Sequence, residues 1–186
     1  MLPAYPLILA CASADSAALT NTLTATSILH GSGIGTIPAN AMQIGSHIKV
    51  TIRGRISTLV TAPGTLTFDM RMGGVVVSAF GAIALNIVAQ TNASFEAVLT
   101  ARITAVGTGT TATALCTGLF LSRAVIGSAA VAAGGVSAIV LPDTAPASGT
   151  GFDSSSAQVA NIFATWSVAN AANSIQVHQS LTEFKV

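Results

Sequence analysis

Apolar and polar residues alternate with period two through three long stretches of this chain, and no stretch carries an equally clear helical period. In His47–Ser57, Ile48, Val50, Ile52 and Ile56 take one face, while Lys49, Thr51, Arg53 and Arg55 take the other. In Thr65–Met72 the apolar set is Leu66, Phe68, Met70 and Met72, set against Thr65, Thr67, Asp69 and Arg71. Ala93–Val106 repeats the pattern, with Phe95, Ala97, Leu99, Ala101 and Ile103 against Glu96, Thr100, Arg102 and Thr104. Successive side chains of a strand point to opposite faces, so each stretch reads as a half-buried strand with one face on a core.

Further strands are expected over Thr20–Leu29, Val75–Phe80, Thr113–Leu121, Asn161–Ala169 and Ser174–Lys185. Turn residues separate them: Gly31-Ser32-Gly33, Ala62-Pro63-Gly64, Gly73-Gly74, Gly107-Thr108-Gly109 and Asn170–Asn173. Helical candidates are confined to one turn over Ser154–Ala160 and a weak segment over Ala124–Ala133. About eight antiparallel strands at these spacings predict an all-β jelly-roll sandwich over residues 20–186, preceded by an extended N-terminal arm over residues 1–19. If Ala62-Pro63-Gly64 closed a hairpin, Arg55 would face Asp69; a jelly roll sends this connection across to the second sheet and parts them, and the crossing is the expectation. The Pro-, Gly- and Ser-rich stretch Leu141–Ser156 is a long loop, of the kind that is functional or flexible.

Charge then limits function. Only 7% of the 186 residues are charged, with a net charge of +1, against a usual ~25%. Nucleic-acid binding requires clustered Lys and Arg, and so thin a scatter excludes it. With 51% hydrophobic residues the chain collapses rather than staying disordered. A surface so poor in charge is poorly solvated alone, which implies that much of it is covered by other copies or by a partner.

The N-terminal run MLPAYPLILACASADS superficially resembles an export signal, but no Lys or Arg precedes it and two prolines interrupt it; an ordered extended arm is expected. Ala124–Leu141 and Gly73–Ala89 are apolar but broken by Gly, Ser or Asn, so no membrane span is expected. Cys11 and Cys116 lie in apolar settings and read as two buried thiols, without the spacing of a disulfide framework or a metal site.

Catalysis needs titratable groups brought together, and few are available. His30, His47 and His178 are scattered without metal-ligand spacing, and His47 and His178 read as strand-surface residues. Among the carboxylates Asp15, Asp69, Glu96, Asp143, Asp153 and Glu183, Glu96 and Glu183 both sit on expected strands and could meet across a sheet as a glycosidase-like pair; solvated surface charges, or partners of Arg102 or Lys185, are the plainer reading. Asp143 and Asp153 flank a loop that could hold Ca²⁺ with backbone carbonyls, but two carboxylates ten residues apart are a weak signal for it. The Gly31–Gly35 run is followed by Pro38 and no helix, so it is a turn and not a phosphate cradle. Trp166 belongs in a core or an interface. No catalytic residue, cofactor site or metal site is assigned, and the chain is not expected to be an enzyme. Arg53 and Arg55 share a strand face and are candidate contacts for an anionic partner, or else simply solvated.

The block Ile37–Phe80, IPANAMQIGSHIKVTIRGRISTLVTAPGTLTFDMRMGGVVVSAF, has an Ile-Pro opening, a Gly turn, a long alternating strand, a Pro-Gly loop and a strand leading to Gly-Gly. In this order it resembles structural proteins of tailed-phage virions, particularly the small jelly-roll proteins that decorate or cement capsids. The strand Asn173-Ser-Ile-Gln-Val-His178, after Ala169-Asn-Ala-Ala172, is similar to the closing strand of trimeric sandwiches of the tumour-necrosis-factor type. The resemblance implies a homotrimer on the capsid surface of a virion assembled in the host cytoplasm. It would bridge major capsid protein subunits, with neither nucleic acid nor membrane as partner. It also implies an arm that clamps the capsid, with Leu2, Pro3, Tyr5, Pro6, Leu7, Ile8 and Leu9 as the contact candidates. A receptor- or glycan-binding head or tail fibre module using the Leu141–Ser156 loop is the alternative.

Overall fold

A computed structural model describes residues 6–59, 61–127, 138–142 and 144–186. The strands are β1 (Leu7–Cys11), β2 (Leu19–Thr20), β3 (Thr26–Ser27), β4 (Gly35–Ile37), β5 (His47–Thr58), β6 (Thr65–Met72), β7 (Val75–Leu85), β8 (Gln90–Ala105), β9 (Thr113–Ser122), β10 (Val125–Gly127), β11 (Ala138–Leu141), β12 (Gln158–Trp166) and β13 (Ser174–Lys185). They form two antiparallel sheets. The larger runs β1-β13-β5-β8-β9-β11 with β2 beside β13; the smaller runs β10-β7-β6-β12-β3 with β4 beside β12. Taking β1, β4, β5, β6, β7, β8, β12 and β13 as eight principal strands, the larger sheet follows first-eighth-third-sixth and the smaller second-seventh-fourth-fifth. That is the order of a jelly roll. The segment β9–β11, inserted between the sixth and seventh, widens both sheets at one edge.

Alternation built the core as expected. Ile48, Val50, Ile52 and Ile56 of β5, Leu66, Phe68, Met70 and Met72 of β6, and Ala97, Leu99, Ala101 and Ile103 of β8 are all buried between the sheets. Phe120 of β9 joins the layers, its ring centroid 5.4 Å from that of Phe68 and 5.5 Å from that of Phe95. Trp166 is a core residue, and its indole N–H donates to the Leu19 carbonyl at 3.3 Å. The connection after β5 crosses between sheets, so Arg55 and Asp69 lie apart and Asp69 pairs instead with Arg71 of its own strand at 3.3 Å.

Several expectations are corrected. Ser154–Ala160 is not a helical turn: the Asp153 carboxylate accepts from Ser155 N–H (2.9 Å), Ser155 Oγ (2.6 Å) and Ser156 Oγ (3.0 Å), closing a tight turn that feeds directly into β12. These bonds, Ser155's first, hold the Asp153 carboxyl below its usual range. Ala124–Ala133 begins with β10, and residues 128–133 lie outside the described ones. The early strand over Thr20–Leu29 is two short pieces, β2 and β3. Among the described residues no helix is long and apolar enough to cross a membrane.

From Leu7 onward the N-terminal stretch follows the last strand. Leu7 and Ile8 lie opposite Phe184 and Glu183, Ala12 N–H donates to the Ser180 carbonyl at 2.9 Å, and Ser16 N–H to the Val177 carbonyl at 2.9 Å.

The cysteines differ. Cys116 is buried, and burial pushes its thiol up to about 11, whereas Cys11 at the end of edge strand β1 is exposed, contrary to the expectation of two buried thiols. At pH 8 the native protein should therefore give one prompt equivalent with a disulfide reagent and a second only after unfolding. Two prompt equivalents would contradict this placement.

Candidate functional site

The outer face of the larger sheet gathers the charge of this charge-poor chain. Six of its seven Lys and Arg residues project there: Lys49, Arg53 and Arg55 from β5, Arg102 from β8, Lys185 from β13, and Arg123 from the turn after β9. The cause is local. The inward set of β5 is apolar, so every charge on that strand falls on the solvent side, and β8 and β13 add theirs from either flank.

Register decides the pairing. Arg53 stands directly opposite Glu96 of β8, and its Nε donates to Oε2 at 2.7 Å. This bond and the charge of Glu96 hold the Arg53 guanidinium above its already high usual value. Lys49 stands opposite Glu183 of β13, with Nζ 3.3 Å from the carboxylate. Glu96 and Glu183 thus lie on strands separated by β5 rather than meeting directly; their partners are Arg53 and Lys49, not Arg102 and Lys185. His178 Nδ1 lies 2.9 Å from Asp15. Arg55 reaches only the Asn92 carbonyl, at 3.4 Å. Among the described residues Arg55, Arg102, Arg123 and Lys185 have no carboxylate partner.

Arg53, Arg55, Arg123 and His178 border an open cleft of about 800 Å³, with Ser94, Gln179 and Leu121 completing the wall. A bulge shapes it. Val177 and His178 together occupy the space opposite Gly54, so His178 and Gln179 both turn outward and the inward set of β13 resumes at Ser180, Thr182 and Phe184. A residue with a Cβ at position 54 would drive into the Gln176 carbonyl, which is why a glycine interrupts an otherwise β-branched strand. That glycine is the one sequence signal that could have found the bulge.

An apolar strip continues from the cleft. Leu119 of β9 lies between Val98 of β8 and Val140 of β11 in register, with Leu121 and Leu115 on the same side. Leu119, Leu121 and Val140 are 36%, 37% and 68% exposed, so β9 offers apolar side chains to solvent as well as to the core. Leu121 belongs to both cleft and strip.

The other candidates separate. Arg53 and Arg55 are together in the cleft, but of the two only Arg55 has no carboxylate partner among the described residues. Leu2, Pro3 and Tyr5 lie outside the described residues; Pro6 is exposed, Leu7 and Ile8 are 55% and 60% exposed, and Leu9 packs against the core. Within Leu141–Ser156, Asp143 lies outside the described residues. The loop is pinned at its far end by Gly149 and Thr150 N–H groups on the Val77 and Val76 carbonyls (2.9 and 3.0 Å), and by buried Phe152 paired with Ala112. Among the described residues no three His, Cys, Asp or Glu converge as a metal site. On the smaller sheet Arg71 stacks 4.0 Å above Phe163 and bonds Asp69, while its buried Nε has no partner among the described residues.

No family model and no curated protein matches the chain. A solved structure, the CBM2 module of the evolved Dit of Lactobacillus casei BL23 phage J-1, is similar to it over 82% of this chain and 68% of that one, at 14% identity and a TM-score of 0.34. A similarity of that level carries no functional assignment.

Proposed function

We propose that this protein is a structural component of a tailed-phage particle, a capsid decoration protein that trimerises and stabilises the shell by seating between major capsid protein subunits. The observation that supports the reading best is the outer face of the larger sheet, where an exposed apolar strip adjoins a basic cleft on a molecule otherwise nearly free of charge. Such a face is stabilised by burial against a neighbour. The jelly-roll order and the resemblance of Ile37–Phe80 to decoration proteins point the same way. In this reading Leu7 and Ile8 add apolar contacts from β1, and the function is carried by buried surface, not by chemistry.

The test is co-sedimentation with shells assembled from the major capsid protein of the same genome. Saturable occupancy is expected, falling sharply in Leu119→Asp/Val140→Asp. Leu7→Ser/Ile8→Ser is a better probe of the N-terminal contact than truncation, because deleting the segment strips β1 from β13 and unpairs an edge. Absence of wild-type protein from the shell pellet would overturn the proposal. The alternative, a receptor- or glycan-binding fibre module, would use the Leu141–Ser156 loop, with the cleft as a second surface open to it. Among the described residues the cleft wall holds no Tyr or Trp and one Phe, Phe95, 4% exposed; its other ring, the His178 imidazole, lies against Asp15. Saturable binding on a glycan array without shell binding would favour this alternative.

A further inference from the structure

We infer that the cleft between β5, β8 and β13 docks an acidic segment of a partner protein, with carboxylates seated on Arg55 and Arg123 and neighbouring apolar side chains laid along Leu121, Leu119 and Val140. This names the chemistry of the partner for the attachment face proposed above, and rests on that reading for the place of the face in a particle.

The first ground is unspent charge. Arg55 has one long bond to a backbone carbonyl, and Arg123 has no carboxylate partner among the described residues, yet both border one cleft. A guanidinium presents a planar fork of donors that matches a carboxylate bidentately. The second is the position of Glu96. Bound to Arg53 at 2.7 Å, it neutralises that side of the cleft and repels an incoming carboxylate, leaving the Arg55 and Arg123 side as the attractive one. The third is continuity. Leu121 lines the cleft and stands beside Leu119 and Val140, so a ligand entering the cleft continues onto apolar surface. A polypeptide bearing both Asp or Glu and aliphatic side chains complements both halves, whereas a polyuronate or an inorganic anion complements only one. Finally, a second copy meeting this face with its own would set arginine against arginine, so the cleft does not seat a two-fold self-contact.

The experiment titrates the full chain with a labelled peptide alternating glutamate and leucine, beside the glutamine–leucine peptide, polygalacturonate and inorganic phosphate. Binding of the acidic peptide is expected at low ionic strength, weakening with salt. Arg55→Gln/Arg123→Gln should lower its affinity by roughly tenfold or more, with an unchanged thermal midpoint because both side chains are exposed. Glu96→Gln should tighten binding, since it removes a competing carboxylate and releases Arg53. No binding of the acidic peptide, equal binding of the glutamine peptide, or insensitivity to the arginine substitutions would overturn the assignment. Displacement by polygalacturonate or phosphate at equal or lower concentration would overturn it in favour of a glycan or free-anion site. The shell assay separates the two proposals. Arginine-dependent peptide binding without shell binding removes the capsid reading alone, and shell binding by a protein that ignores the peptide removes this inference alone.

Discussion

Phe120→Ala is expected to lower stability by about 3–5 kcal/mol, a fall in thermal midpoint of roughly 6–20 °C for a chain of this size. The ring is fully buried and is the point at which the two sheets interlock, near Phe68 from the smaller sheet and Phe95 from its own. Truncation removes the burial of the ring and leaves a cavity whose walls are strands held in register on both sides, and such walls relax poorly. Two of its aromatic contacts disappear together. Phe120→Leu, which keeps most of the volume, should recover more than half of the loss. Calorimetry or a denaturant melt reads both variants, and a midpoint for the alanine variant within a degree or two of wild type would show that the sheets do not interlock at this residue.

Gly54→Ala is expected to cost about 3 kcal/mol or more, although it adds a single methyl group to a strand. The added carbon would enter the space of the Gln176 carbonyl oxygen and approach Phe95 Cε1 to 2.8 Å. A flexible side chain could step aside, but the Gln176 carbonyl belongs to the backbone of β13 at its bulge. Relief requires β5 and β13 to separate or the bulge to be lost. Losing it shifts β13 by one residue and exchanges its faces beyond Val177, taking His178 from Asp15 and Gln179 from the cleft wall. The substitution should therefore weaken acidic-peptide binding in whatever protein remains folded, although position 54 offers no side chain to a ligand. Wild-type stability for Gly54→Ala would place the bulge elsewhere.

How far the site could be read in advance varied with the range of the interaction. The outward placement of Arg53 and Arg55 followed from their alternation with Ile52 and Ile56. That Arg53 is spent on Glu96 while Arg55 is not depended on a register between residues 43 positions apart. Arg123 gave no signal as a neighbour of either, because it reaches the cleft only when β9 is laid beside β8. The apolar strip was hidden for a different reason. Thr113–Leu121 read as a strand without an assigned inward face, and the position of β9 beside β8 is what turns Leu119 and Leu121 to solvent. Asn173, read as part of a turn, is fully buried. Its amide donates to the Pro63 and Val168 carbonyls at 2.9 and 3.3 Å and accepts from Leu59 N–H at 2.8 Å, tying together loops that are distant in sequence. Cys11 was misjudged because its apolar neighbours describe a strand without revealing that the strand lies at a sheet edge.

Period-two alternation is a property of each strand's own backbone. It was therefore enough to establish an all-β chain and the inward residues of β5, β6 and β8 with no knowledge of the neighbours, while composition gave the low charge. Strand order, the bulge at His178, the partners of Glu96 and Glu183 and the junction of basic cleft with apolar strip arise between segments far apart along the chain. Those features are settled only when the sheets close on a common core, since the choice of neighbour minimises exposed apolar surface and unpaired backbone over the whole sandwich at once.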